Sequence, residues 1–308
     1  MKVFIVIVTY NGMVWMDRCL SSCRNYTVVV VDNASSDNTL SYIKDNNPNV
    51  ILLEQSTNLG FGQANNIGIS YALQQGADHV FLLNQDAYIL DRALDVLLDF
   101  QIHNPEYGIV SPLHFKKDGK TLDEKFENYL LKDSNGKFDG LPITTKELKP
   151  FYEMRFVNAA AWLLSKKCLE NVGGFDPMFF HYGEDENYCQ RVLYHNFKIG
   201  VLTNSRIIHD RVFTDHKNIK MYSKAYYKLR VLSYKIRYGN VRNPNSIQHL
   251  KQHLQKLFKK SLKAMLKGEI VESTNLFKEF YVLLNCKRDI KNSYLINRTN
   301  GLHYLKMK

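Results

Sequence analysis

Four apolar runs, each closed by polar residues, limit what this chain can fold into more than any other feature. Val3 to Val8 is a continuous run rich in β-branched residues, and Val28 to Val31, Val50 to Leu53 and Val80 to Leu83 follow it. Continuous rather than alternating apolar character is what a strand buried on both faces requires. Helical patterns lie between the runs, over Met13 to Ser22, Asn38 to Lys44 and Phe61 to Leu73. Asp37 stands where a carboxylate can accept from the free amides that open the second helix. Strand and helix in alternation predict an α/β fold, a mainly parallel, doubly wound, Rossmann-like sheet. Ligands bind such sheets at the carboxyl ends of the strands. Thr9-Tyr10-Asn11, Asp32-Asn33, Asn58 and Asn84-Gln85-Asp86 stand at those ends, all polar.

Three of the acidic or basic groups could meet at one ligand. Asp86 follows the fourth apolar run. Gly183-Glu184-Asp185-Glu186 opens a helix that continues through Tyr188 and Arg191 to Leu193. His209 ends a second apolar stretch, Arg206-Ile207-Ile208, with Asp210 and Arg211 beside it. Hard divalent cations take carboxylate oxygens and substrate phosphates as ligands. A further acid free of the metal could serve as a base. No Gly-x-Gly-x-x-Gly follows the first strand. Thr9-Tyr10-Asn11-Gly12 stands there instead, which argues against a dinucleotide oxidoreductase. Asp32 could take a ribose hydroxyl or a base N–H, or could make an Asx turn into Ser35 and Ser36. Asn58-Leu59-Gly60-Phe61-Gly62, with Asn65 and Asn66, either attracts an anion to a helix start or is an ordinary strand-to-helix loop.

The 308 residues carry a formal charge of +11, unevenly spread. Residues 209–308 hold 22 basic and 6 acidic residues, net +16, whereas the first 208 are net −5. A uniformly basic nucleic-acid binder would not divide in this way; a catalytic domain with a basic appendage would. The expected division is therefore a catalytic domain over 1–212 and a basic helical region over 213–308. Residues 114–150 are polar and lysine-rich with scattered Gly and Pro, and predict a long loop or hairpin insertion. From about Asp215 the chain reads helical. Ile247, Leu250, Leu254, Leu257, Phe258, Met265 and Leu266 recur at helical steps among lysines, a basic amphipathic helix that could lie on an anionic membrane by its apolar face. Packing on the rest of the chain, or self-association into a homo-oligomer, are the other readings of that face. Tyr222, Tyr226, Tyr227, Tyr234 and Tyr238 could stack bases, but at helical spacing they read as core or interface, so no nucleic-acid partner is expected. Five cysteines without a Cys-x-x-Cys pair, and an N-terminus that enters a strand directly, predict a cytoplasmic setting.

These residues resemble the family 2 glycosyltransferases with the GT-A fold, over roughly residues 1–212. The resemblance rests on Val6-Ile7-Val8-Thr9-Tyr10-Asn11, Val30-Val31-Asp32-Asn33-Ala34-Ser35-Ser36-Asp37 and Asn58-Leu59-Gly60-Phe61. It continues through Leu83-Asn84-Gln85-Asp86 and Gly173-Gly174-Phe175-Asp176 to Phe179-Phe180-His181-Tyr182-Gly183-Glu184-Asp185. Within the family the chain looks most like bacterial rhamnosyltransferase-type and galactofuranosyltransferase-type enzymes of surface-polysaccharide assembly. The resemblance implies an inverting, metal-dependent transfer from a dTDP- or UDP-linked sugar to a glycan or lipid-linked oligosaccharide. Thr9, Tyr10, Asn11 and Asp32 match nucleoside contacts, and Asn58 and Asn65 the nucleotide-sugar pocket. Asn84 and Asp86 match the Asp-x-Asp motif that holds Mg²⁺ or Mn²⁺ and the donor diphosphate, with His209 a metal ligand. Asp185 matches the catalytic base, and Glu184, Glu186 and Trp162 lie where an acceptor would be met. Asn84 replaces the first motif acid, and Asn187 stands where a second helix acid is common. A nucleotide-binding scaffold on the same fold, its chemistry lost, is the alternative those departures leave open.

Overall fold

The computed structural model describes residues 1–133, 149–211 and 219–307. Residues 1–212 and 300–308 form one compact unit and residues 213–299 another. The last residues, assigned by composition to the helical region, therefore belong with the first unit.

The first unit is built on one twisted sheet. Strands β1 (Val3–Thr9), β2 (Thr27–Asp32), β3 (Ile51–Glu54) and β4 (His79–Asn84) are parallel, in the order β3-β2-β1-β4. Helices α1 (Met13–Ser22), α2 (Thr39–Asn46) and α3 (Phe61–Gln74) make the crossovers. Successive residues of β1 face opposite ways, as the strand period demands. Phe4 and Val6 join a core with Ile69 and Leu73 of α3, while Ile5 and Ile7 join a second core with Met16 and Leu20 of α1. Cys19 and Cys23 are buried in that second core. Asp37 does meet the start of α2, its Oδ1 accepting from the Thr39 amide at 3.0 Å.

Beyond β4 the sheet becomes mixed. The short β5 (Ala87–Ile89) is followed by α4 (Ala93–His103) and β6 (Tyr107–Phe115). Then come β7 (Phe151–Met154), β8 (Ala161–Ser165), α6 (Lys166–Val172), α7 (Glu184–Tyr194) and the long β9 (Lys198–His209). β8 inserts antiparallel between β4 and β6, and β9 runs parallel to β6 and antiparallel to β5 and β7. The β6–β9 register shifts between Tyr107 and Ile109 and again between Pro112 and Leu113, and Pro112 has no amide to give a ladder bond. The expected loop over 114–150 is corrected in part. His114 and Phe115 end β6, and α5 (Glu124–Asp133) follows; residues 134–148 lie outside those described. Phe126 and Leu130 of α5 reach the core, and that anchors a helix whose composition is otherwise polar.

The second unit contains α8 (Lys224–Tyr238), α9 (Ser246–Leu266) and α10 (Ile270–Ile296) among its described residues; 215–218, where helix was also expected, lie outside them. α9 packs on α10 and α8, and Leu250, Leu254 and Leu257 are buried there. Of the apolar face expected to meet a membrane, Leu250, Leu254 and Leu257 are covered by the unit's own core, while Phe258, Met265 and Leu266 are exposed. Tyr234 and Tyr238 are buried too, removing two of the rings considered for base stacking. Among the described residues no helix is long and apolar enough to cross a membrane.

Candidate active site

The tips of β1, β2 and β4 and the start of α3 border a cleft of about 430 Å³. Tyr10, Asn33, Asn58, Asn84, Gln85 and Asp86 line it, with Phe180 and His181 from the loop before α7. Parallel pairing sets Thr9 beside Asp32 and Val8 beside Asn84, so the three tips end at one level. Gln85 ties two of them. Its Oε1 accepts from the Thr9 hydroxyl at 2.8 Å and from the Tyr10 amide at 2.9 Å. Asn33 ties the third to the α3 loop, donating to Asn58 Oδ1 at 2.9 Å and accepting from the Leu59 amide at 2.8 Å. Gly60 has φ of +78°, and a Cβ there would lie 1.9 Å from the Phe180 carbonyl oxygen. Only glycine lets the α3 start and the α7 loop close the cleft from two sides.

Asp32 is fully buried. Its Oδ2 accepts from the Ser35 amide at 3.0 Å, the Asx turn considered above, yet its Oδ1 has no partner among the described residues. Asn84 Oδ1 is orphaned in the same way. A buried acceptor without a donor is costly, so the Asn84 oxygen, in the cleft lining, is suited to a polar ligand's N–H or O–H, whereas Asp32 is wholly buried and not among the residues that line the cleft. Asn11, at φ of +49°, instead orders the loops: its Oδ1 accepts from the Ser36 amide at 2.8 Å. Asn65 does not line the cleft. It is buried on α3, its amide donating back to the Phe61 carbonyl at 3.0 Å.

Asp86 and His209 meet because β5 and β9 pair with Ala87 opposite His209, while the Asp210 amide donates to the Asp86 carbonyl at 2.7 Å. His209 Nε2 and Asp86 Oδ1 stand 3.4 Å apart. Burial pushes the Asp86 carboxyl up, but the hydrogen bond and charge of His209, with Arg211 beyond, outweigh it and hold the carboxyl below its usual value. Behind the pair, Arg211 Nε reaches the buried Asp123 at 2.7 Å and its Nη2 donates to His209 Nδ1 at 3.0 Å. Asp123 itself caps α5 through the Phe126 amide at 3.0 Å. Next to them His114 is stacked on Phe126, and burial holds its imidazole well below the usual range. Among the described residues no three His, Cys, Asp or Glu side chains converge as a metal cage. Asp86 and His209 are the residues that would hold a divalent cation here, a carboxylate oxygen and an imidazole nitrogen being suited to one.

Gly183, in the left-handed region, opens α7. Glu184 is buried with its Oε2 unpartnered among the described residues. Burial and the neighbouring Asp185 charge push its carboxyl up to about 7. Asp185 is partly buried and its Oδ1 accepts from the Glu186 amide at 2.8 Å. Burial raises its carboxyl to about 6, with the Glu186 charge adding and that hydrogen bond opposing. Glu186 is exposed. Trp162, expected near an acceptor, is wholly buried and stacked on Phe175 with centroids 6.0 Å apart. Gln85, Asn33, Phe180 and His181 line the cleft but were not singled out from sequence. Asn33 and Gln85 flank named residues of the tip motifs, and Phe180 and His181 stand in the motif that leads into α7.

The family description "Glycosyl transferase family 2" matches residues 4–173, more than half of the chain. The chain is 28% identical over 187 residues to a low-salt glycan biosynthesis hexosyltransferase of Haloferax volcanii, a match covering 59% of this chain and 58% of that protein. It is 25% identical to a dTDP-rhamnosyl transferase of Shigella flexneri, over 68% of this chain and 69% of that one. It is also 25% identical to the N-acetylglucosaminyl-diphospho-decaprenol L-rhamnosyltransferase of Mycobacterium tuberculosis, over 73% and 81%. Its fold matches Staphylococcus aureus TarS solved with UDP, at TM-score 0.54 and 18% identity, over 97% of this chain and 90% of that one. A mannosyltransferase of Pyrobaculum calidifontis, solved with GDP-Man and Mn²⁺, matches at TM-score 0.51 and 16% identity, over 93% and 75%.

Proposed function

The chain belongs to glycosyl transferase family 2, and we propose that it moves a sugar, with inversion, from a dTDP- or UDP-linked donor to a hydroxyl of a glycan or lipid-linked glycan. The observation that carries the proposal is the Asp86–His209 pair, with Asp86 and the Asn84 oxygen, unpartnered among the described residues, both lining the cleft at the strand tips. Asp32 Oδ1 would accept from the pyrimidine N–H, and Tyr10, half exposed at the rim, would lie against the nucleoside. Asn58 and Asn84 would hold the donor's polar groups. Asp86 would hold Mg²⁺ or Mn²⁺, and His209 would join it through Nε2 once the ring proton moves to Nδ1 and Arg211 releases that nitrogen. That cation would supply charge stabilisation for the departing diphosphate, the role of a bound Lewis acid. Asp185 takes the proton from the acceptor hydroxyl as its oxygen attacks the anomeric carbon, and the diphosphate leaves from the opposite face. A carboxyl titrating near 6 is mostly ionised at neutral pH and still basic enough to accept that proton. Glu186, exposed on the same turn, would meet the acceptor.

The relatives that act with dTDP-rhamnose or on a decaprenyl-linked sugar support a deoxyhexosyl or hexosyl donor and a lipid-borne acceptor. An acceptor of that kind would bring the enzyme to the inner face of the membrane. A panel of dTDP- and UDP-sugars tests the reading, scored for nucleoside diphosphate released with and without Mn²⁺ and glycan acceptor. Metal-dependent release with one or two donors is expected. Nucleotide binding with no release from any donor would instead favour the scaffold reading.

A further inference from the structure

The turn between α9 and α10 carries an apolar tip that the helical unit leaves bare. Leu266 is 85% exposed, Val271 77%, Ile270 61% and Met265 47%. The turn is closed tightly from inside: the Glu269 amide donates to the Ala264 carbonyl at 3.0 Å and the Gly268 amide to Met265 at 3.0 Å. Gly268 has φ of +74° and an added Cβ would meet nothing within 4 Å, so its position is open solvent and the glycine serves the bend. Four large apolar side chains within seven residues are thus held outward by a well-bonded turn. Scattered exposed apolar residues are ordinary, but a contiguous cluster marks a contact surface.

The surroundings say which contact. α9 carries Lys251, Lys256, Lys259, Lys260 and Lys263, all exposed, and no acidic residue. Lys267 follows at the tip, 3.9 Å from Glu269. Glu272, the other acid of the turn, is engaged by the Tyr222 hydroxyl at 3.2 Å. The buried Leu250, Leu254 and Leu257 keep α9 from lying flat on a bilayer by that face, so the apolar contact falls to the tip and the lysines flank it. An apolar wedge with a cationic collar is complementary to an anionic bilayer, whose headgroups attract lysine and whose acyl boundary takes Leu, Ile, Val and Met.

We propose that the α9–α10 turn is a membrane-insertion tip for anionic lipid, Leu266, Ile270 and Val271 entering the acyl boundary and the α9 lysines contacting headgroups. This surface is independent of the donor chemistry, so either reading can fail alone. The test is co-sedimentation of the full chain with vesicles of phosphatidylcholine alone, or with added phosphatidylglycerol, at low and high salt. Binding is expected only with phosphatidylglycerol and should fall with salt. Each Lys→Gln among Lys259, Lys260 and Lys263 should weaken it about fivefold, the equivalent of about 1 kcal/mol per cation at an anionic surface. Leu266→Ser with Val271→Ser should weaken it at least tenfold while the helical circular dichroism stays unchanged. Leu266→Trp should shift its emission to the blue on phosphatidylglycerol vesicles. No binding at low salt, or binding that the tip variants leave intact, would overturn the proposal. So would self-association in sedimentation velocity that the tip variants abolish without any lipid binding, since the tip would then join two copies of the chain.

Discussion

Replacing Glu184 by Gln should make the catalytic unit more stable at alkaline pH and leave it little changed at acid pH. The Glu184 carboxyl moves from 4.5 up to about 7 in the fold, first because it is buried and second because Asp185 is charged beside it. Its side chain is 5% exposed, so solvent does little to screen the effect. Between those two values the folded chain keeps a proton that the unfolded chain has lost. Stability therefore falls as pH rises through that window, the reverse of a salt-bridged carboxylate. Between pH 5 and pH 8 the loss is about 2–3 kcal/mol, taking about 1.4 kcal/mol per pH unit. Glutamine cannot ionise, so Glu184→Gln removes that slope, and any fixed cost of seating the amide cancels in the comparison of the two pH values. Both tryptophans, Trp15 and Trp162, lie in the first unit, so urea unfolding followed by their fluorescence reports on it alone. The variant's stability relative to the wild type should rise by about 2–3 kcal/mol from pH 5 to pH 8. A difference that stays flat within about 0.5 kcal/mol, well inside that expectation, would mean that Glu184 is solvated or partnered, and the reasoning from its burial would be wrong.

Asp185→Asn should lower turnover by about 10²–10⁴-fold and leave nucleoside diphosphate affinity within a few-fold, because it removes basicity and keeps shape. In the wild type, turnover should rise with pH through about 6 as Asp185 ionises. Glu184 titrates close by, so a pH–rate profile will report apparent values of the pair. Gly60→Ala should destabilise the first unit by about 2 kcal/mol or more, since alanine must adopt a positive φ and displace the Phe180 carbonyl. Steady-state kinetics should show donor KM rising more than kcat falls, because the change opens the cleft without touching Asp185.

The parallel half of the sheet was legible because β1, β2, β3 and β4 are short apolar runs ended by polar tips. The mixed half was not. β6 is buried along its whole length but contains Gly108, Ser111, Pro112 and His114, which hide its apolar pattern. Only the last turn of β9, Ile207-Ile208-His209, read as a strand tip, although it spans twelve residues. α5 was hidden by its lysines and acids, its core contacts resting on Phe126 and Leu130. The site divides in the same way. Tyr10, Asn58, Asn84 and Asp86 follow from strand tips and a family resemblance. The Asp86–His209 contact needs an antiparallel pairing 122 residues apart in sequence between Ala87 and His209, with Asp123 and Arg211 behind it, which no local pattern encodes. Trp162 and Asn65 are buried and not among the residues that line the cleft: a motif position says which residue is near a site, while burial decides which way it faces.

The most direct test of the account is a calorimetric titration of UDP or dTDP into the wild type and Asp86→Ala, each with and without Mn²⁺. Asp86 is the only acid of the Asn84-Gln85-Asp86 tip. Mn²⁺ should tighten nucleotide binding to the wild type, and Asp86→Ala should abolish this enhancement. His209→Ala should lose less of it, because imidazole brings no charge to a hard cation. Equal enhancement by Mn²⁺ in the wild type and Asp86→Ala would contradict the assignment of the metal and diphosphate site to Asp86.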